Sequence, residues 1–452
     1  MEENKAKREI IIIGAGVAGL MITLKLAQSK KFAITLFESG TREHLSYDWS
    51  DDVERGVFST GLAPLPPKGH ADKLPWTFVT PNNEFYIQVP QSPEHTDYSI
   101  DRKTFSYHLL DQVILAGANV VFGATASELI LADGMITGAI INGSEYFADL
   151  VIDCSGINSK LRSSFVRKFS IDDVPIASEI FYAYRAYFDR TNAVAETYTN
   201  KAYLRHMAHS GISWCIDRRD SVDVLIGTTK KITDEYITTA LCDLRKNNPC
   251  LGENILHGGI IKQIPIRYPL TQIVANGYVM IGDVAFMTIP MLGSGIASSI
   301  KASDILCRVI LSINDNDKFT AELLWKYQVS VFKLFGADHI AIDYMKRWML
   351  SIEPKTLNKI VAAGLLLDSD LAVISRGERL KLNSLDKLKR FLAGYKHPKL
   401  LLKLNKVLTS MNLGYKLGLS IPEKYDRVAI KQWRLKIRKL LIGVDPTLTN
   451  IS

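Results

Sequence analysis

The first chemistry the sequence offers lies in Gly14-Ala15-Gly16-Val17-Ala18-Gly19. Gly14 permits a tight turn, Gly16 lets the backbone approach a phosphate, and Gly19 lets a helix pack closely on a strand. A helix opening there offers free N–H groups and the positive end of its dipole, a combination suited to a pyrophosphate. Glu38 stands 22 residues beyond Gly16, where a carboxylate can accept hydrogen bonds from ribose hydroxyls. These residues describe a dinucleotide site. By themselves they leave FAD and NAD both open.

A second set lies far downstream. Tyr278-Val279-Met280-Ile281 runs into Gly282-Asp283, and Pro290, Gly293 and Gly295 precede a helix beginning at Ile296. An aspartate at a strand end can hold a ribityl hydroxyl, and a helix start can aim N–H groups at a flavin oxygen. The stretch resembles the Gly-Asp motif of FAD-dependent hydroxylases and related reductases, and this resemblance selects FAD. It also implies that Arg102, in Asp101-Arg102, reaches the phosphates or ribityl chain. Ala124, and Gly156 in Asp153-Cys154-Ser155-Gly156, are the other cofactor positions it implies. The expected cofactor set is thus Gly14, Ala15, Gly16, Ala18, Gly19, Glu38, Arg102, Ala124, Gly156, Gly282, Asp283, Pro290, Gly293, Gly295 and Ile296.

Particular elements must hold these residues. Ile10–Ile13 and Phe32–Phe37 read as strands around a helix bearing Leu20, Leu24 and Ala27, a βαβ unit. Residues 40–100 read as long loops with short strands. Ile100–Ala116 reads as a helix with Phe105, Leu109 and Val113 on one face. Val120–Leu131 and Met135–Ile141 read as strands joined at Asp133-Gly134, and Leu150–Cys154 as a buried strand. Between about 175 and 275, short alternating runs such as Phe181–Asp189, Ala202–Met207, Ile212–Asp217 and Val222–Thr228 suggest an antiparallel sheet. The expected fold is α/β: a Rossmann-like FAD-binding domain (1–174 and 276–335), an inserted antiparallel β-sheet substrate domain (175–275) and a C-terminal helical region (336–452).

Composition narrows the class. The 452 residues are 47% hydrophobic and 23% charged, ordinary for a globular protein. Five cysteines, with no C-x-x-C pair, argue against a disulfide framework, a zinc site or a dithiol centre. No metal site is expected. Lys5, Lys7 and Arg8 before an apolar stretch imitate a signal peptide, but Gly14, Gly16 and Gly19 interrupt it, so it reads as part of a folded domain. From Phe391 to Ser452, twelve Lys or Arg stand against Glu423, Asp426 and Asp445, so the basic surplus sits in the tail. A cytoplasmic protein that can sit on the inner face of a membrane is the expectation. Lys431–Leu441, with Trp433, Ile437 and Leu440 near one face, and the leucines around Leu400–Val407 are the segments expected to meet that membrane or to cap the fold.

The resemblance narrows to the geranylgeranyl reductase group, particularly the members acting on archaeal membrane lipid precursors. Its carriers are both FAD motifs, Ser210-Gly211-Ile212-Ser213-Trp214-Cys215-Ile216, and the tail Ala393–Lys403. Trp214 matches the central tryptophan of that group's cavity-lining motif, while Cys215-Ile216-Asp217 stands where a variable residue, Phe and Pro are expected. The group's Cys-Gly-Asp segment is absent: Ser46-Tyr47-Asp48-Trp49-Ser50-Asp51-Asp52 has no cysteine, so either the substrate differs or another group supplies the proton, for which Tyr47 and Asp48 are candidates. Trp49, Trp76 and Trp214 are candidates to line a prenyl cavity. The resemblance implies flavin hydride transfer to an isoprenoid double bond, with electrons from NAD(P)H or a ferredoxin-like donor, a lipid substrate and no nucleic-acid partner. A monooxygenase or halogenase of the same fold is the alternative, although Ser213-Trp214-Cys215-Ile216-Asp217 lacks the first tryptophan and the proline of the halogenase motif. A non-catalytic prenyl-binding protein is a third reading, opposed by the intact glycine, Glu38 and Asp283 set.

Purified protein should be yellow and should release intact FAD on denaturation, read by absorbance and mass. A colourless protein that takes up no FAD on reconstitution would contradict both motif assignments.

Overall fold

The computed structural model describes residues 7–89, 97–193 and 198–450. The chain opens with β1 (Arg8–Ile13), α1 (Val17–Gln28) and β2 (Phe32–Glu38). There follow β3 (Ser50–Val53), α2 (Gly56–Ser59), β4 (His70–Asp72), β5 (Thr77–Val79), β6 (Tyr86–Gln88), β7 (Tyr98–Asp101) and α3 (Arg102–Leu115). Next come β8 (Asn119–Phe122), β9 (Ala126–Ala132), β10 (Met135–Ile141), β11 (Ser144–Phe147), β12 (Leu150–Asp153) and α4 (Lys160–Phe169). The middle contains β13 (Ile180–Arg190), β14 (Asn200–Leu204), β15 (Gly211–Asp217), β16 (Ser221–Thr228), α5 (Asp234–Asn247) and β17 (Leu251–Pro265). Then β18 (Val274–Ala275), β19 (Tyr278–Met280) and α6 (Ile296–Leu311) lead to α7 (Ala321–Val331), α8 (Ala337–Ser351), α9 (Pro354–Ala362), α10 (Asp368–Ser375), α11 (Ser384–Gly394), α12 (Pro398–Leu419) and α13 (Arg427–Ile442).

The first sheet has the order β18-β19-β12-β1-β2-β8. β1 lies parallel between β12 and β2, and its isoleucines 10 to 13 are buried, as a central strand of a covered parallel sheet requires. Ile13 is level with Phe37 on one side and Asp153 on the other, and Asp153 is level with Met280. Gly14, Glu38, Cys154 and Ile281 therefore emerge together at the carboxyl edge, where open α/β sheets place ligands. Two close approaches set this edge. Gly14 has φ +98°, and a Cβ there would lie 2.5 Å from the Cys154 carbonyl oxygen. A Cβ on Gly19 would lie 1.8 Å from the Gly14 carbonyl oxygen, so only glycine lets α1 pack at this distance.

The second sheet has the order β17-β13-β16-β15-β14-β5-β6, antiparallel except where β14 runs parallel to β5. The sheet expected from alternation is present, and it also draws in β5 and β6, two of the short strands expected within residues 40–100. Those strands are three residues each and join through a partner more than 120 residues away, so no local period marked their place in it. The expected strand Val120–Leu131 divides: the chain leaves the first sheet at Gly123 (φ +67°) and enters a separate β9–β10–β11 sheet.

The C-terminal helices join this body through buried ions. Arg347 on α8 bonds Glu179 (2.7 Å), Asp343 (3.1 Å) and Asp445 (2.6 Å), while Arg267 bonds Asp173 (3.0 Å) and Glu179 (3.2 Å). Burial opposes ionisation of Asp343 and Asp173, but Arg347 and Lys346 for the first, and Arg267 for the second, outweigh it and hold both carboxyls below the usual range. Of the two roles expected for Lys431–Leu441, the burial of α13 fits the cap. Trp433 and Ile437 are buried, the Trp433 indole donates to the Leu417 carbonyl (2.7 Å), and Arg434 pairs with Asp172. Trp433 turns inward against Phe332 (ring centroids 4.8 Å apart at 75°), while Val428 and Leu435 on the other side of α13 stay exposed.

Arg347→Met should lower the unfolding free energy by about 3–5 kcal/mol at pH 7, because it strands buried carboxylates. Carboxyls with depressed folded pKa values contribute stability above their unfolded pKa of about 4 and lose it as pH falls. The gap between wild type and variant in urea midpoints should therefore narrow at acid pH. Equal midpoints at pH 7 would show that the network adds nothing.

Candidate functional site

The two sheets enclose a cavity of about 970 Å³. The carboxyl edge of the first sheet forms part of its wall. Gly14, Ala15, Gly16, Ala18 and Glu38 come from the β1–α1–β2 unit, Ala124 and Gly156 from neighbouring turns, and Arg102 from the start of α3. Gly282, Asp283, Gly293, Gly295 and Ile296 arrive from β19 and the loop before α6. Two members of the expected cofactor set do not line it. Gly19 is consumed by the contact of α1 with β1, and Pro290 is buried behind the loop.

The second sheet supplies one face as a row across its strands. Arg185 on β13 is level with Leu225, Leu225 with Trp214, Trp214 with Ala202, and Ala202 with Phe78. Arg185, Leu225, Trp214 and Phe78 all line the cavity, and Ala183 and Ile212 extend the face. Trp76 meets Trp214 edge-on, with ring centroids 5.3 Å apart at 83°, and its indole donates to Asp52 (3.2 Å). Ser369, Ala372, Val373 and Arg376 of the α10 segment complete the wall.

Ions cross the gap between the halves. Arg185 donates to both carboxylate oxygens of Asp223 (3.0 and 2.7 Å), to Asp51 (2.7 Å) and to the Ser50 carbonyl (2.6 Å). Arg102 donates to the other oxygen of Asp51 (3.1 Å), while its Nε is buried with no hydrogen-bond partner. Burial disfavours the charged forms of Asp51 and Asp223, yet Arg185 prevails and keeps both carboxyls below the usual range. Sequence reading missed Arg185. Its signal was a lone arginine amid the alternating apolar run Phe181–Asp189.

Tyr47 and Trp214, both singled out by sequence, line this cavity, whereas Asp48 is exposed and lies outside its wall. Asp48 is therefore removed as a proton donor. Tyr47 stacks on Trp49 (4.5 Å, 14°), and the Arg102 guanidinium and the Lys262 ammonium are each 4.9 Å from its ring centre. Burial raises its phenol pKa, with Arg102 opposing, so the hydroxyl keeps its proton at neutral pH. Cys154 also lines the cavity, but burial raises its pKa well above normal, so it stays a thiol. Asp153 is spent structurally, accepting from Ser155, Ser159 (2.6 Å) and Tyr278 (2.8 Å). A Ser213–His206–Asp243 chain (2.9 and 3.0 Å) has fully buried Ser213 at one end, which shuts that hydroxyl away from any substrate.

The wall fits a flavin dinucleotide. A Cβ on Gly16 would meet nothing within 4 Å, so the backbone is open where a pyrophosphate would approach. α1 and α6 begin at Gly16 and Gly295 with no side-chain cap, leaving N–H groups for a ligand. Asp283 faces the cavity, and burial raises its pKa, with Arg102 the only opposing charge. Among the described residues no hydrogen-bond donor reaches that carboxylate, and a ligand hydroxyl would supply one. Glu38 accepts from the backbone N–H groups of Ala15 (2.6 Å) and Gly40 (2.7 Å), which orients it beside the glycine turn.

The family model for tryptophan halogenases matches residues 75–216. The chain is 22% identical to a digeranylgeranylglycerophospholipid reductase of Sulfolobus acidocaldarius, over 99% of this chain and all of that one. Its structure resembles a geranylgeranyl bacteriochlorophyll reductase-like protein from Thermoplasma acidophilum, with TM-score 0.68 and 17% identity over 89% of this chain and 99% of that one. It also resembles a flavin-dependent brominase, with TM-score 0.58 and 16% identity over 96% of this chain and 99% of that one.

Asp283→Ala should weaken FAD binding by about 1–3 kcal/mol, the worth of a hydrogen bond to a charged group. Titration of the apoprotein with FAD reads this directly. Glu38→Ala should weaken binding while leaving the flavin spectrum unchanged. Wild-type affinity in both variants would contradict the assigned cradle.

Proposed function

We propose that this chain, a relative of the geranylgeranyl reductases across its whole length, is an FAD-dependent oxidoreductase that saturates carbon–carbon double bonds in isoprenoid chains of lipid precursors. The observation that carries this reading is the extent of the cavity. It passes from the glycine cradle, which suits a dinucleotide, to Trp76, Phe78, Trp214 and Leu225, which no dinucleotide motif requires. An aromatic and aliphatic face of this kind suits an apolar chain.

Bound and reduced, FAD supplies the hydride for such a reaction. The protein does the rest. Its apolar face holds the alkene and excludes water, which fixes the reacting geometry. Arg185 and Asp51 keep the 47–52 loop against the second sheet. Tyr47 holds a proton on its hydroxyl oxygen beside the cavity, where the missing cysteine of the family motif would otherwise be sought. Trp214 is a wall residue that orients the chain. The electrons come from NAD(P)H or a ferredoxin-like protein. Among the described residues no helix is long and apolar enough to cross a membrane.

The halogenase-family match over residues 75–216 supports a second reading, in which the same site oxygenates its substrate. Product mass separates the two. Anaerobic, dithionite-driven turnover with geranylgeranylated lipids should add two mass units for each bond reduced; no gain there, with a gain of sixteen when the reduced holoprotein, freed of dithionite, meets the lipid in air, would establish oxygenation. Tyr47→Phe should lower kcat by about 10²-fold, the usual worth of a positioned acid, with the flavin spectrum unchanged. A wild-type rate in that variant would remove Tyr47 as the proton donor.

A further inference from the structure

We propose that α11 is a docking face for an anionic lipid bilayer, fixed beside the α10 wall of the cavity. Leu385, Leu388, Phe391, Leu392 and Tyr395 are each between 52 and 61% exposed. Their spacing places them on one side of the helix. The opposite side meets the protein with a charge and a glycine. Arg390 donates to the Asp370 carboxylate (2.6 Å) and the Leu365 carbonyl (2.5 Å), and Gly394 is buried against Leu365 and Leu401. This inverts the usual arrangement, in which a surface helix turns its apolar side to the core. The helix is also held at its start, where Asn383 accepts from the Asp386 N–H (2.8 Å) and the Asp386 carboxylate accepts from the Asn383 N–H (3.1 Å).

Charge identifies the occupant. Between Arg379 and Lys403 the sequence has eight Lys or Arg and one acidic residue, Asp386. Lys381, Lys389, Lys396, Lys399 and Lys403 are exposed around the apolar stripe, and Leu402, 70% exposed, continues it onto α12. An apolar stripe ringed by lysines is the pattern of a helix lying in the headgroup layer of an anionic membrane. A second copy of this chain fits poorly, because a two-fold interface would set the lysines against their own copies.

The position gives the contact a purpose. α10 lines the cavity through Ser369, Ala372 and Val373, and the Arg390–Asp370 pair fastens α11 to it. A chain drawn from the bilayer would enter beside α10. This purpose rests on the lipid-reductase reading. The binding itself does not, so the two can fail separately.

The test is co-sedimentation of the FAD-loaded full chain with vesicles of equal parts phosphatidylglycerol and phosphatidylcholine, and with phosphatidylcholine alone. Wild type should bind the anionic vesicles at low salt and release at 1 M salt, where the Debye length is about 3 Å. Leu388→Asp with Phe391→Asp, and separately Lys389→Glu with Lys396→Glu, should each lower the bound fraction about tenfold. FAD content and urea midpoint should stay unchanged, since all four side chains are exposed. Lys436→Glu on α13 should bind as wild type. Failure of wild type to bind, undiminished binding by both double variants, or a wild-type dimer that either double variant dissociates would overturn the proposal. Vesicle binding without turnover would leave it standing and count only against the reductase reading.

Discussion

Arg185 is the contact on which the cavity depends. It stands inside β13, bonds two carboxylates and a backbone carbonyl, and so ties the 50–51 segment to the second sheet. Its guanidinium also lies over the rings of Trp49 and Trp214, at 5.2 and 5.3 Å from their centres. A buried cation carries a heavy desolvation cost, which is offset only when its partners are complete. Completing them requires β3, which carries Ser50 and Asp51 and pairs with β7 in a separate three-stranded sheet, to lie against the second sheet. The ion therefore ties that small sheet to the apolar face, and Arg102, bonded to the same Asp51, continues the link to the start of α3.

The electrostatics of the molecule divide by location. The Arg185 cluster borders the cavity and leaves Arg102 with an unpartnered Nε, the kind of residual donor that a phosphate-bearing ligand would satisfy. The Arg347–Arg267 cluster lies between α8 and the segments flanking the second sheet, where its members satisfy one another. Both are buried and both hold carboxyls below the usual range, yet only the first faces a ligand site. Perturbed ionisation alone would not have told them apart; the cavity does.

What the sequence made readable follows the range of each constraint. The Gly14–Gly19 turn and the Gly282–Asp283 strand end are local, because a few backbone positions must be glycine for the chain to pass; the first was legible from spacing, the second from its resemblance to a known motif. The alternating strands of the second sheet were equally visible. The place of the short strands β5 and β6 in that sheet was not, since it depends on a distant parallel partner. The fifteen-residue β17 escaped notice because its irregular pairing breaks the alternation. α13 displayed a basic, amphipathic pattern that suited a membrane or a cap, and its tryptophan closes the core, while the leucines of α11, equally regular in spacing, stay exposed. Periodicity gives a helix a face, and tertiary contacts decide where that face points.

The central claim is that an isoprenoid double bond, not oxygen, takes the electrons from the cavity. Anaerobic mixing of the reduced holoprotein with a geranylgeranylated lipid tests this most directly, with flavin absorbance as the readout. The account predicts that the oxidised spectrum returns when the alkene arrives, one flavin per double bond, and that a fully saturated lipid has no effect. A flavin that stays reduced with the alkene and reoxidises only on admission of oxygen would contradict it.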